Sequence, residues 1–247
     1  MLEELVNLIQ QSRSCVVLTG AGISAESGVP TFRGNEGIWA KFRPEDLATM
    51  DAFIANSKLV WEWYNWRREL IRQVKPNAGH YALVELAKWF PEFTLVTQNV
   101  DGLHRMAGSD PVLEIHGNIL KNKCADCHKP IELENDIDPR QIPSCPVCGG
   151  KTRPDVVWFG EMLPESVIEA AFDASGSTEL FLSIGTSALV HPAATLPVLA
   201  KRHGAVLVEI NPDETPLTGL ADYYFPSKSG ELLPRLVEML SQVGRVQ

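Results

Sequence analysis

Short apolar runs alternate with helical periodicities along most of this chain. The runs are SCVVLTG (14–20), FTLVTQN (93–99), LFLSIGTS (180–187) and AVLVEINP (205–212). Each is rich in β-branched or aliphatic residues and closes on Gly, Asn, Thr, Ser or Pro, the signature of a buried strand with a polar end. Helical patterns lie between them, at AGHYALVELAKWF (78–90) and PAATLPVLAKRHG (192–204), and MLEELVNLIQQSRS (1–14) reads as an amphipathic helix. Strands alternating with helices predict an α/β fold, a Rossmann-like parallel sheet with helices on both faces. Ligands of such sheets bind at the carboxyl ends of the strands, where these polar residues collect.

Residues from about 120 to 155 break the rhythm. They carry four cysteines and several prolines without a strong apolar period, as an inserted module would. Cys124 and Cys127 form one C-x-x-C pair and Cys145 and Cys148 another, with 17 residues between them. That spacing is that of a structural zinc site with four thiolates and no open coordination position. CADCH (124–128) also fits haem attachment, but that reading leaves the second pair unused and requires export. Cys15, inside the first strand, reads as a small core residue.

Composition narrows the function. The chain has 247 residues, 45% hydrophobic and 21% charged, which suits one substantial domain or one domain with a small insert. A formal net charge of -9 argues against a sequence-independent grip on nucleic acid and weakly favours cationic partners. No run is apolar enough to predict a membrane span, and no signal-peptide pattern opens the chain, so a reducing, cytoplasmic setting is expected.

GAGISAESG (20–28) follows the first strand at once. Gly20 and Gly22 with Ala25 give G-x-G-x-x-A, the pattern of a dinucleotide-binding turn that leads into a helix N-terminus. The acidic residue that normally follows about twenty positions later, at the end of a second strand, is missing. A hydride-transferring dehydrogenase is therefore disfavoured. TQNVDGLH (97–104) places Gln98, Asn99 and Asp101 at another strand end, and EIHGN (114–118) brings His116 just before the cysteine module. His80, His104, His191 and His203 read as structural.

WEWYNWRREL (61–70) reads as a helix burying Trp63, Trp66 and Leu70, with Tyr64 and Arg67 together on the neighbouring stripe. Those two are either a solvated edge or a pair of donors for a carboxylate.

Taken together, these stretches resemble the sirtuin family of bacterial and archaeal type, NAD-dependent protein lysine deacylases. The matching pieces are GAGISAESGVPTFRG, TQNVDGLH, LEIHGN, the four cysteines, VVWFGE, GTS and INPDE, in family order from about Leu2 to Leu240. Val100 stands where isoleucine is common in the family, and Ser229 where a smaller residue often stands. The resemblance implies a large NAD-binding domain at about 1–30, 78–119 and 156–247. A small domain would combine a helical segment at about 31–77 with a zinc module at about 120–155.

It also implies site roles. NAD, consumed as a co-substrate, would meet Gly20, Ala21, Gly22, Ser24 and Ala25 at its pyrophosphate, with Thr31, Phe32, Arg33 and Trp39 over the phosphates and reacting ribose. Gln98, Asn99, Val100 and Asp101 would hold the ribose and nicotinamide carboxamide. Gly185, Thr186, Ser187, Asn211, Pro212, Asp213 and Ser229 would contact the adenosine half. His116 would be the general base, with Asn99 beside it, for collapse of a ribose hydroxyl onto an alkylimidate. The products would be nicotinamide, O-acyl-ADP-ribose and free lysine. Val157, Phe159, Gly160 and Glu161, within VVWFGE, would bind the acylated peptide as an added strand. Tyr64-Asn65-Trp66-Arg67 matches the Tyr-x-x-Arg motif of the subset that removes succinyl and malonyl groups, so Tyr64 and Arg67 would read the acid. ADP-ribosyl transfer to protein is the rival enzyme reading, and a zinc-ribbon interaction module without chemistry the rival of another class. A monomer is expected.

Overall fold

The computed structural model describes residues 1–31, 43–133 and 137–244. Phe32, Arg33 and Trp39, expected near NAD, lie outside the described residues.

A six-stranded parallel sheet organises the larger part of the chain. Its strands are β1 (Ser14–Thr19), β2 (Glu92–Thr97), β3 (Val112–Glu114), β6 (Leu180–Ile184), β7 (Val206–Ile210) and β8 (Tyr223–Phe225), in the order β3-β2-β1-β6-β7-β8. All five pairings are parallel. The order doubles back beside β1, so the crevice of this sheet opens between β1 and β6.

Alternate residues of β1 serve opposite cores. Cys15 and Val17 pack with α1 (Leu2–Gln11), α5 (Ala78–Ala87) and α9 (Ser229–Val243). Val16 and Leu18 pack with α7 (Glu165–Ser177) and α8 (Leu196–Arg202) on the other face. Burial on both faces explains why this strand is an unbroken apolar run and not an alternating one. Cys15 is a core residue, as expected.

A second, smaller unit is built from α3 (Pro44–Leu47), α4 (Met50–Gln73) and an antiparallel pair, β4 (Gly117–Cys124) and β5 (Thr152–Val156). Its core joins Phe53, Val60, Trp61, Tyr64 and Ile71 of α4 to Ile119, Val156 and Trp158. The β4 ladder starts at Gly117, three positions before the expected start of the insert. α4 is broken at Asn56, whose backbone is non-helical (φ -151°, ψ 72°) and whose Oδ1 caps the second segment at the Leu59 amide.

That second segment corrects the expected burial pattern. Its inner face runs through Val60, Trp61, Tyr64, Arg67, Arg68 and Ile71, while Trp66 is 44% exposed. Tyr64 and Arg67 are therefore on the buried stripe and not on a solvated edge. Arg68 secures this face: its guanidinium donates to the carbonyls of Ile119 (2.6 Å) and Lys121 (2.9 Å) and to Asn122 Oδ1 (2.8 Å). Among the described residues no helix is long and apolar enough to cross a membrane.

Candidate active site

The turns after β1 and β6 meet at the crevice. The Gly20 amide donates to Ile184 O (3.0 Å) and the Gly22 amide to Gly185 O (2.8 Å). A Cβ on Gly20 would lie 2.7 Å from Gly185 O, and one on Gly185 2.7 Å from the Ile23 amide nitrogen. Glycine is thus required for the two turns to touch, before any ligand is considered. The helix expected after the glycines, α2 (Gly22–Ala25), is a single turn.

Around this junction lies a cavity of about 1200 Å³ that reaches the small unit. Gly20, Ala21, Gly22, Ala25 and Thr31 line it from the first turn, and Gln98, Asn99 and Val100 from the end of β2. Gly185, Thr186 and Ser187 follow β6, Asn211, Pro212 and Asp213 follow β7, and Ser229 opens α9. Polar side chains tie these strand ends together: Gln98 donates to Thr186 Oγ1 (2.8 Å), and Asn211 to Thr186 O (3.0 Å). His116, Tyr64, Arg67, Val157, Phe159, Gly160 and Glu161 line the same cavity.

Ser24 and Asp101 do not line the cavity; they lie behind it. The Ser24 hydroxyl donates to Asp101 Oδ2 (2.8 Å) and accepts from Asn99 Nδ2 (3.1 Å). The same Asn99 nitrogen donates to Gly20 O (3.1 Å), which leaves the carboxamide oxygen to meet a ligand. Burial pushes the Asp101 carboxyl up, against the pull of the Leu103 amide, the Ser24 hydroxyl and the Arg67 charge. His80 closes the network: Nδ1 accepts the Asn77 amide (3.3 Å), so the proton sits on Nε2, 3.4 Å from Ser24 Oγ. His80 and the neighbouring His104 are buried, with burial pushing them down to about 4 and about 3.

His116 has a different setting. Its Nδ1 is 2.9 Å from the Gln98 carbonyl, an acceptor only, so Nδ1 carries the hydrogen and Nε2 the lone pair. Burial lowers its pKa, with the Gln98 bond opposing. A ring that is neutral near pH 7 with an exposed lone pair is the state a general base needs.

On α4, the Tyr64 hydroxyl accepts the Trp158 indole N–H at 2.8 Å. The Arg67 guanidinium lies 4.9 Å from the centre of the Trp63 ring. Burial pushes the Tyr64 phenol up and the Arg67 guanidinium down, each partly offset by the other. The phenol is thus kept neutral and able to donate. The sequence reading missed Trp158, which also lines the cavity. Its signal was chemical: a buried indole N–H needs an acceptor, and a tyrosine on the packed helix offers one.

The VVWFGE segment departs from a plain strand edge. β5 ends at Val156, and the amides beyond it point inward, Val157 to His116 O (2.9 Å), Phe159 to Ala48 O (2.9 Å) and Trp158 to Glu161 Oε2 (2.8 Å).

The four cysteines converge. Their sulfurs all lie within 4.8 Å of one another, with Cys124–Cys148 at 3.4 Å and Cys127–Cys145 at 3.7 Å. About 3.8 Å separates the sulfurs of a regular zinc–thiolate tetrahedron with bonds of about 2.3 Å. Amides of Cys127 and Asp126 bond to Cys124 Sγ and pull its thiol down to about 7, toward the ligating thiolate. The donor set fits one structural zinc, and the haem reading has no support in this four-sulfur cluster.

Strand order, glycine junction and cavity define a dinucleotide-binding α/β protein with a thiolate metal module inserted. Within that class the chain belongs to the Sir2 family, whose model matches residues 20–192. It is 49% identical over 233 residues to an NAD-dependent protein deacylase of Aquifex aeolicus, covering 94% of this chain and 97% of that one. A Pyrococcus furiosus protein of the same description is 46% identical over 250 residues, covering 99% and 100%. Among solved structures, a Sir2 homologue in complex with NAD superposes with a TM-score of 0.91 at 44% identity, covering 98% and 94%. A Sir2 protein with a deacetylated peptide and 3'-O-acetyl ADP-ribose gives 0.84 at 33% identity, covering 100% and 99%.

Proposed function

We propose that this chain is an NAD-dependent protein-lysine deacylase that removes acetyl groups and, through Tyr64 and Arg67, succinyl and malonyl groups. The observation that carries the reading is one continuous cavity lined by the strand ends, His116 and the Tyr64–Arg67 pair alike. Membership of the Sir2 family and the NAD-bound homologue support the first half of the proposal.

In this reading the glycine junction and the Gln98–Thr186–Asn211 bridge hold NAD, with the nicotinamide end toward Asn99 and Asp101. NAD supplies the ribose that takes the acyl group. Asn99 presents its oxygen and His116 takes a proton at Nε2. The acylated peptide lies along residues 157–161, and because so many amides there are tied inward, it pairs largely through carbonyl acceptors. One water molecule is consumed, and lysine, nicotinamide and O-acyl-ADP-ribose leave. The large domain supplies the NAD half and the small domain the acyl half.

An acidic acyl chain would meet two donors at Tyr64 and Arg67, and a buried guanidinium gains most from an anionic partner. An assay of one peptide carrying acetyl- or succinyl-lysine, with NAD and mass-spectrometric detection, tests this against Arg67→Met. The proposal expects succinyl removal by the wild type and a much larger loss on succinyl than on acetyl in the variant. Acetyl removal alone, unaffected by the substitution, would make this a plain deacetylase. Nicotinamide release without deacylation would favour ADP-ribosyl transfer.

A further inference from the structure

The hydroxyl of Tyr64 is not alone at the cavity wall. Trp158 is 2% exposed, and its indole N–H, which can only donate, lies 2.8 Å from the Tyr64 oxygen. A phenol has one proton. With a lone pair of the oxygen engaged by Trp158, that proton is turned away from the indole. The phenol is also kept protonated, because burial pushes it up.

Trp158 is itself fixed on several sides. Its backbone amide donates to Glu161 Oε2 at 2.8 Å. The Arg153 guanidinium covers its ring, with Cζ 3.3 Å from the ring centre. Arg153 is fully buried and donates to both oxygens of Glu161 and to Val156 O (2.8 Å). Phe53 packs 5.3 Å from the ring at 47°. The indole therefore has one orientation, and so has the hydroxyl it meets.

We propose that Trp158 is a positioning residue for acyl specificity: by donating to the Tyr64 oxygen it directs the Tyr64 proton toward an acceptor in the acyl pocket. The inference rests on the acid-reading role of Tyr64 and Arg67 given above. A chain of donors polarises along its length, so the Trp158 bond also strengthens the one Tyr64 gives. A succinyl or malonyl carboxylate offers the acceptor; an acetyl methyl group offers none. Arg153 and Glu161 act one step further back, holding the indole.

The test removes the indole N–H. Trp158→Phe removes it, and benzothienylalanine at position 158 removes it while keeping the shape, in case the phenylalanine variant folds poorly. The succinyl-to-acetyl ratio of kcat/KM should fall about tenfold in both, the scale of one hydrogen bond toward a charged group. The fall should appear in the succinyl KM and not in kcat. In a Tyr64→Phe background the same replacement should have no further effect on the ratio, since no hydroxyl is left to orient. Equal losses on both acyl groups, or a loss that persists without the Tyr64 hydroxyl, would overturn the proposal and make Trp158 a packing residue. If Tyr64→Phe itself leaves the ratio unchanged, the acid-reading pocket fails and this inference with it. If Tyr64→Phe lowers the ratio and the position-158 variants do not, only the inference fails.

Discussion

Gly22 and Gly185 lie against each other where the sheet doubles back, the amide of the first 2.8 Å from the carbonyl of the second. Gly185 has φ +58°, and a Cβ there would reach 2.7 Å from the Ile23 amide nitrogen. Gly185→Ala should lower stability by about 2–3 kcal/mol through backbone strain and displacement of the facing turn, and weaken NAD binding with it. Urea unfolding and NAD titration measure both. A wild-type midpoint in the alanine variant would contradict the close approach.

Arg67 and Arg68 are neighbours in sequence with different work. Arg68→Met strands the carbonyls of Ile119 and Lys121 and should cost about 2–4 kcal/mol. Arg67→Met removes a guanidinium whose charge burial disfavours, against the opposing pull of Tyr64 and Asp101, so it should cost less than Arg68→Met. Thermal unfolding of the two variants side by side gives the comparison; an equal loss would mean that Arg67 is a structural anchor too.

Acid should unfold the protein partly through the two buried histidines. Their folded pKa values of about 4 and about 3 lie below the ordinary value of 6.5, so the unfolded chain binds protons first as pH falls. Their neutral forms therefore stabilise fully above pH 6.5 and lose that contribution between 6.5 and about 4 for His80, continuing to about 3 for His104. The slope is up to about 1.4 kcal/mol per pH unit for each group. His80→Asn should flatten the stability–pH curve over this interval, read from denaturant midpoints at successive pH values.

Stripping zinc should melt the cysteine module while the main sheet survives. The two large cores on the faces of that sheet contain no ligand cysteine. A chelator should therefore abolish deacylation with only a partial loss of far-ultraviolet ellipticity, and zinc should restore both. Complete, single-step unfolding would show that the module is needed by the whole chain.

The four strands read from the sequence are the five- and six-residue strands of the main sheet, where both faces demand apolar residues. β3 and β8 have three residues each and leave no such run. In α4 residue type misled: Trp66 looks like a core residue but faces out, while Arg67 and Arg68 are buried because polar partners and an aromatic face receive them. The strand-end residues and the cysteines were readable because chemistry fixes their spacing. That Ser24 and Asp101 stand behind the cavity, and that Trp158 meets Tyr64, depends on contacts between segments distant in sequence, which spacing does not record.

Cys124 and Thr152 are partners in the β4–β5 ladder. The polypeptide between them leaves and re-enters the small unit at adjacent points, and Ile137 within it packs in the α4 core, its carbonyl accepting from Asn65 Nδ2 (2.7 Å). The metal module is thereby a brace for that helix: whatever loosens the cysteines also loosens the packing behind Tyr64.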